Sequence, residues 1–237
     1  PLDFELRGSH RWLQNVITHE FAHIVSLQKA MKAGTSIPGA YFQFMNYEEE
    51  KRPDVLYGYP NTLVSYPLPG TVVPPWLAEG TAQYMYDDAD WDNWDSHRDM
   101  ILRDRVINNN LLSFTEMNTF GKKGIGNEST YNSGFALATY IANEYGSNVL
   151  SKVMEELSSP LQFSINKAIL NVTGTSGRDI YQDFKTAIEA KYNTLVDPIR
   201  VMPVQGEKLQ IEGTTNIHPK WHPTENAYLY LSNKGND

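Results

Sequence analysis

The apolar positions of this chain follow a helical period through most of its length. Between Ser9 and Gly34, apolar side chains cover nearly the whole circumference of a helix, which predicts an element buried on almost all sides. Ser9 is a suitable N-cap for this helix, and Gly34 is a suitable stop. Pro74 and Pro75 predict the start of a second helix that runs to about Tyr86, because proline is favoured in the first helical turn.

The remaining chain alternates between irregular and helical segments. Glycine, proline and aromatic residues between Gly34 and Pro74 predict loops and short strands. Helical periodicity returns at Ser96. Further helices are expected near residues 130–145, 147–157, 163–171 and 176–192. A linker is expected after Tyr192. Strands are expected around residues 208–212 and 227–231. The whole pattern predicts a mainly helical α+β fold.

Two histidines interrupt the apolar surface of the first helix one turn apart. In the sequence His-Glu-Phe-Ala-His at positions 19–23, His19 and His23 lie on one helical face, so both can bind one metal ion. Glu20 lies about 100° around the axis and can reach a metal-bound water as a general base. This is the zincin arrangement. The alternative is a pair of core histidines bonded to backbone carbonyls, with Glu20 in solvent.

A catalytic zinc ion usually takes three protein ligands and leaves one position for water. Glu79 is the best candidate for the third ligand, because it is the one acid in the first half of an apolar helix, where an unpaired carboxylate is costly. The alternative is an acid that is simply favoured by the helix N-terminus. The remaining imidazole candidates are His10, His97, His218 and His222.

Three segments together resemble the gluzincin metallopeptidases, the group that contains thermolysin and the aminopeptidase N family. They are His-Glu-Phe-Ala-His at 19–23, Trp-Leu-Ala-Glu-Gly at 76–80 and Tyr-Asn-Ser-Gly-Phe-Ala-Leu at 131–137. The resemblance covers about residues 9–195 and implies a thermolysin-like domain that uses Zn²⁺ to hydrolyse peptides or proteins. It also implies that Glu79 is the third zinc ligand and that Tyr131 stabilises the oxyanion.

The chain differs from these families at two places. It contains no Gly-x-Met-x-Asn segment, the strand that anchors a free amino terminus in the aminopeptidase N family. Only eight residues precede Ser9, whereas thermolysin-like domains place a sheet before the active-site helix. We therefore expect the chain to begin inside a domain and to lack that sheet.

The C-terminal segment has a different character. Residues 218–233 resemble one strand-turn-strand unit of the propeller repeats of the periplasmic Tol system, which implies an exported protein of the bacterial envelope. We divide the chain into a peptidase domain, 1–195, and a linker with a first blade-like segment, 196–237. Since one blade cannot bury its own faces, we expect further segments of the same protein and uncovered apolar surface on the first helix or the final strands.

Composition narrows the choice of function. The formal net charge is −8 and no basic aromatic face is present, which argues against nucleic-acid binding. No apolar run is long enough to cross a bilayer. The absence of cysteine excludes disulfides and thiolate zinc sites. The acidic segment 87–95 lacks the spacing of a calcium loop, so we expect a solvated loop there.

Two functions remain. The first is a zinc peptidase in which Glu20 activates the water and Tyr131 assists. The second is a non-catalytic module that keeps the peptidase fold to bind a peptide or a protein. The intact Glu20 favours the first, because a pure binding site does not need a general base.

Overall fold

A computed structural model of the protein describes residues 12–32, 40–47, 60–68, 70–85, 94, 96–119, 127–203, 206–207, 216–232 and 234. Within these ranges the fold is mainly helical, with two antiparallel hairpins, which confirms the expected α+β class at this level. The helices are α1 (Trp12–Lys29), α2 (Pro75–Tyr84), α3 (Ser96–Ile107), α4 (Asn127–Tyr145), α5 (Val149–Ser158), α6 (Ile165–Thr173) and α7 (Gly177–Val201). The strands are β1 (Ala40–Tyr47), β2 (Pro60–Leu68), β3 (Asn216–His222) and β4 (Ala227–Ser232). A short 3₁₀ helix spans Glu116–Asn118.

Most helix positions agree with the prediction. Pro75 opens α2, α3 begins at Ser96, and left-handed glycines separate later helices, with φ of 95° at Gly146 and 81° at Gly174. The linker expected after Tyr192 is wrong, because α7 continues to Val201 through Pro198. A proline this close to a helix end removes only one late hydrogen bond.

Some sequence predictions fall outside the described residues. These are the cap at Ser9, the stop at Gly34, His10, the strand around 208–212 and the acidic segment 87–95 except Trp94. None of the helices in the described part of the chain is both long and apolar enough to cross a membrane, as the sequence predicts.

The chain divides into two compact units, Pro1–Thr194 and Leu195–Asp237. In the second unit, β3 and β4 form an antiparallel hairpin in which Trp221 faces Tyr228 across the strands, with ring centroids 5.1 Å apart. Both rings are about half exposed. The hairpin therefore presents apolar surface to solvent, as expected for the final strands, and its assignment as a propeller blade stays a prediction.

The core of the first unit is built around the crossing of α2 and α4. Trp76 and Leu77 of α2 are buried against α4, and Leu137 and Ile141 continue the same core toward α5. At the crossing the two backbones touch: a Cβ on Gly80 would lie 2.3 Å from the Gly134 carbonyl oxygen. A Cβ on Gly134 would lie 2.5 Å from the Trp76 carbonyl oxygen. Only glycine fits at either position.

Helix α1 is amphipathic in the opposite sense to a normal core helix. Its inner face carries the buried Asn15 and Ser26, and Ala30, directly after the helix, is also buried. Its outer face carries an apolar stripe with exposed fractions between 50 and 63%. The stripe consists of Leu13, Ile17, Phe21, Ile24 and Val25. The prediction of a helix buried on nearly all sides is wrong for these residues, whereas the expected uncovered apolar surface on this helix is present.

Polar contacts at the end of α1 join it to α5. The Lys32 ammonium donates to the carbonyl oxygens of Leu157, Ser159 and Gln162 at 3.0, 2.6 and 2.5 Å. Leu157 and Ser159 lie at the C-terminal end of α5, where helical carbonyls lack intrahelical partners and attract cations, and Gln162 lies just beyond it. Lys29 donates to Ser151 at 2.9 Å in the preceding turns of α5. These polar contacts therefore replace part of the apolar packing that α1 lacks.

The glycine crossing gives a stability prediction. Gly80→Ala and Gly134→Ala should each lower the free energy of unfolding by about 1–3 kcal/mol, because overpacking against backbone exceeds the helix propensity of alanine. Urea unfolding followed by far-ultraviolet circular dichroism measures this change. Gly206→Ala is the control, since a Cβ there meets nothing within 4 Å. Unchanged stability in both helix variants would show that α2 and α4 can separate without cost.

Candidate metal centre

Three side chains from two helices converge beside the glycine crossing. His19 and His23 project from successive turns of α1, and Glu79 projects from the second turn of α2, immediately before Gly80. The Nε2 atoms of the two histidines are 2.9 Å apart. Glu79 Oε2 lies 3.1 Å from His19 Nε2 and 3.2 Å from His23 Nε2. The convergence that the sequence predicts is therefore present.

The environment of Glu79 decides its charge. Its side chain is 11% exposed, and the imidazoles of His19 and His23 are 14% and 17% exposed. Burial by itself raises the pKa of the Glu79 carboxyl, but hydrogen bonds from His19 and His23, together with their charges, outweigh that effect and hold the pKa at about 2. Glu79 is therefore a carboxylate at neutral pH.

Hydrogen bonds alone do not satisfy this triangle. Each Nε2 atom carries at most one hydrogen, and an ionised Glu79 oxygen can only accept. If both histidines donate to Glu79, two N–H groups oppose each other at 2.9 Å. If only one histidine is protonated at Nε2, the lone pair of the other faces the carboxylate. Each arrangement leaves one repulsive contact, whereas a cation would be attracted by all three atoms.

The size of the triangle also fits a small ion. With edges of 2.9, 3.1 and 3.2 Å, its centre lies about 1.8 Å from each corner. One Zn²⁺ ion could therefore reach all three atoms at its usual ligand distances of about 2.0–2.2 Å. Among the described residues, this is the one group of three or more His, Asp or Glu side chains whose ligand atoms lie within 4.8 Å of one another.

The second ring nitrogen of His23 has no protein partner within the described part of the chain. His23 Nδ1 is buried, and no hydrogen-bond partner is present among those residues. Ligand histidines usually donate this N–H to a carboxylate, a carbonyl or a water, which fixes the tautomer. A buried water is the simplest partner here, because unpaired buried polar atoms commonly bind one.

Glu20 and Tyr131 are the candidate catalytic residues next to the metal ligand candidates. Tyr131 lies in the second turn of α4, and its ring stacks on His19 with centroids 6.3 Å apart and an interplanar angle of 21°. Glu20 is exposed on α1, next to His19. The structure therefore brings Tyr131 beside the triangle and leaves the Glu20 carboxylate accessible to solvent. His97, His218 and His222 do not belong to the cluster.

Sequence reasoning missed a buried polar group behind the site. Arg98 and Arg105 of α3 are 1% and 5% exposed, whereas the apolar Met100 and Ile107 on the same helix are 46% and 41% exposed. Arg98, Leu102 and Arg105 follow helical spacing, so one face of α3 packs inward with its two arginines. The sequence Ser-His-Arg-Asp resembles an ordinary solvated helix start, and nothing in it marks Arg98 as buried.

Comparisons of the chain with protein-family models, with curated proteins and with solved structures find no match. The geometry of the described residues therefore carries the functional argument.

The triangle predicts a metal site with three ligands. Zn²⁺ should bind with a stoichiometry of one and raise the midpoint of thermal unfolding, because an ion that binds only the folded state stabilises it. Replacing His19, His23 or Glu79 by alanine should weaken binding by more than the roughly 10–100-fold expected for an outer partner. Isothermal titration calorimetry measures the stoichiometry and the affinity, and differential scanning calorimetry measures the midpoint of unfolding.

His97→Ala is the matched control for these variants, because His97 lies on α3 outside the cluster. Its affinity for Zn²⁺ should equal that of the unmodified protein. Equal binding by all four variants would disprove the three-ligand site.

Proposed function

We propose that this protein is a zinc metallopeptidase of the gluzincin type, in which His19, His23 and Glu79 hold the ion. The observation that carries the proposal is the triangle of two imidazoles and one buried carboxylate, with Tyr131 stacked on His19. Two nitrogen ligands and one carboxylate form a ligand set typical of zinc hydrolases. When bound, Zn²⁺ supplies a Lewis acid that polarises a carbonyl and favours ionisation of water.

The side chains of the chain divide the remaining work. Glu20 follows the first histidine and is solvent-accessible, so it can take the proton of the attacking water and pass it to the leaving amine nitrogen. The water oxygen bonds to the peptide carbon as its proton moves to Glu20. The C–N bond breaks when Glu20 passes that proton to the nitrogen. Tyr131 is the candidate donor to the negative oxygen of the tetrahedral state. The buried carboxylate of Glu79 keeps the two histidines oriented.

The role of Glu20 can be tested without disturbing the ligands. Glu20→Gln should lower kcat by at least about 10²-fold, the lower end of what a general base contributes, while the zinc content stays at one. Cleavage of fluorescein-labelled casein and of a quenched fluorescent peptide library measures the rate. The matched control is Glu144→Gln, an exposed glutamate on α4. Equal rates for the two variants at equal zinc content would remove Glu20 from the mechanism.

The role of Tyr131 gives a separate prediction. Tyr131→Phe keeps the ring that stacks on His19 but removes the hydroxyl, so kcat should fall by about 10²–10³-fold while KM and zinc affinity change little. Tyr140→Phe is the control, because Tyr140 lies on the same helix but lines a groove that does not include the triangle. A fall in zinc affinity with unchanged kcat would instead assign Tyr131 a structural role.

The same assays examine the non-catalytic alternative. A protein that binds Zn²⁺ and peptides but cleaves neither substrate set would be a binding module built on a peptidase fold. In that case, Glu20→Gln and Tyr131→Phe should leave peptide affinity unchanged.

A further inference from the structure

A buried guanidinium contacts the two helices that carry Glu79 and Tyr131. Arg98 of α3 is 1% exposed and contacts both helices of the glycine crossing. Its Nη2 donates to Gln83 Oε1 of α2 at 2.9 Å, and its Nε donates to Asn132 Oδ1 of α4 at 3.3 Å. Its guanidinium carbon lies 4.0 Å from the centroid of the Phe135 ring.

The positions of these partners relate Arg98 to the site. Gln83 follows Glu79 by four residues on α2, and Phe135 follows Tyr131 by four residues on α4. Residues four apart lie on the same helical face one turn away. Arg98 therefore contacts, on each helix, the residue one turn beyond the candidate functional side chain, and Asn132 directly follows Tyr131.

The glycine contact does not fix the geometry by itself. Gly80 and Gly134 set how closely α2 and α4 approach, but a single point of contact still permits rotation about that point. A second connection, one turn away, restricts the rotation. Arg98 supplies it, because a planar guanidinium donates in fixed directions and stacks on an aromatic ring at the same time. A buried charge is also strongly destabilised when its hydrogen-bond partners move away, which makes the connection stiff.

We propose that Arg98 is a positioning residue for the metal centre: it holds α2 against α4 so that Glu79 and Tyr131 both face His19. This inference rests on the proposed metal site. Sites of this kind need side chains held within about 0.5 Å, so a small rotation of α2 would separate Glu79 from the imidazoles.

The control is a second buried arginine on the same helix. Arg105 is 5% exposed, and its Nη1 donates to the Asn110 carbonyl oxygen at 3.0 Å, within the turn that follows α3. Arg98→Met and Arg105→Met both bury an apolar chain in place of a guanidinium. Both should lower stability, but only Arg98→Met should lower the affinity for Zn²⁺, by about 10–100-fold. Equal affinities in the two variants would overturn the inference.

Two further variants separate geometry from charge and from folding. Arg98→Lys keeps the positive charge but lacks the planar guanidinium with its fixed donor directions. Compared with Arg98→Met, it should restore stability more than affinity for Zn²⁺. Full recovery of the affinity would contradict the proposal. Gln83→Met removes one acceptor from a half-buried position on a helix that tolerates methionine. It should weaken Zn²⁺ binding even if Arg98→Met does not fold, and unchanged affinity in Gln83→Met would count against the proposal.

A metal-free measurement keeps this inference distinct from the proposed function. Metal-free crystal structures of Arg98→Met and Arg105→Met would give the distance between His19 Nε2 and Glu79 Oε2, which is 3.1 Å in the unmodified chain. It should exceed hydrogen-bonding distance in Arg98→Met alone. If the unmodified protein binds no Zn²⁺, the proposed function fails, and this separation alone decides the role of Arg98. An unchanged separation would overturn it.

Discussion

The contact between Gly80 and Gly134 is the constraint on which the site depends. Two helices that carry ordinary side chains lie 8–10 Å apart, and only glycines allow backbone to meet backbone. Here, the Gly80 and Gly134 backbones meet directly, with room for no Cβ between them. Glu79 immediately precedes one glycine and Tyr131 lies three residues before the other, so the same contact brings both side chains toward α1. A larger residue at either glycine would displace both Glu79 and Tyr131.

Burying the Glu79 carboxylate is unfavourable without partners, and the imidazoles that serve as its partners come from another helix. The Glu79 side chain is 11% exposed, and an ionised acid in that environment is unfavourable without partners. Two imidazoles lower its pKa to about 2, although burial acts in the opposite direction. Those imidazoles in turn cannot satisfy each other and the carboxylate with the protons available to them. A cation near the centre of the cluster would therefore stabilise all three groups at once.

The sequence predicts this site better than it predicts the packing around it. His19 and His23 are recognisable because helical periodicity fixes their relation within one element. Glu79 is recognisable because an isolated acid in an apolar helix requires a partner. Arg98 and Lys32 carry no such signal, since their partners come from distant parts of the chain and depend on how the helices cross. The sequence predicts that the outer face of α1 is buried, because apolar side chains cover most of its circumference and the pattern does not show which side packs inward.

The reversed amphipathicity of α1 links metal binding to the stability of that helix. The stripe from Leu13 to Val25 contributes little burial, so α1 depends on its buried inner face, on polar contacts at its end and on those of His19 and His23 with Glu79. A cation at the triangle would join α1 to α2 through three strong bonds. Because such bonds form only when the helices are docked, the free energy of metal binding becomes free energy of docking. The helix that carries His19, His23 and Glu20 would therefore depend on such an ion for part of its docking.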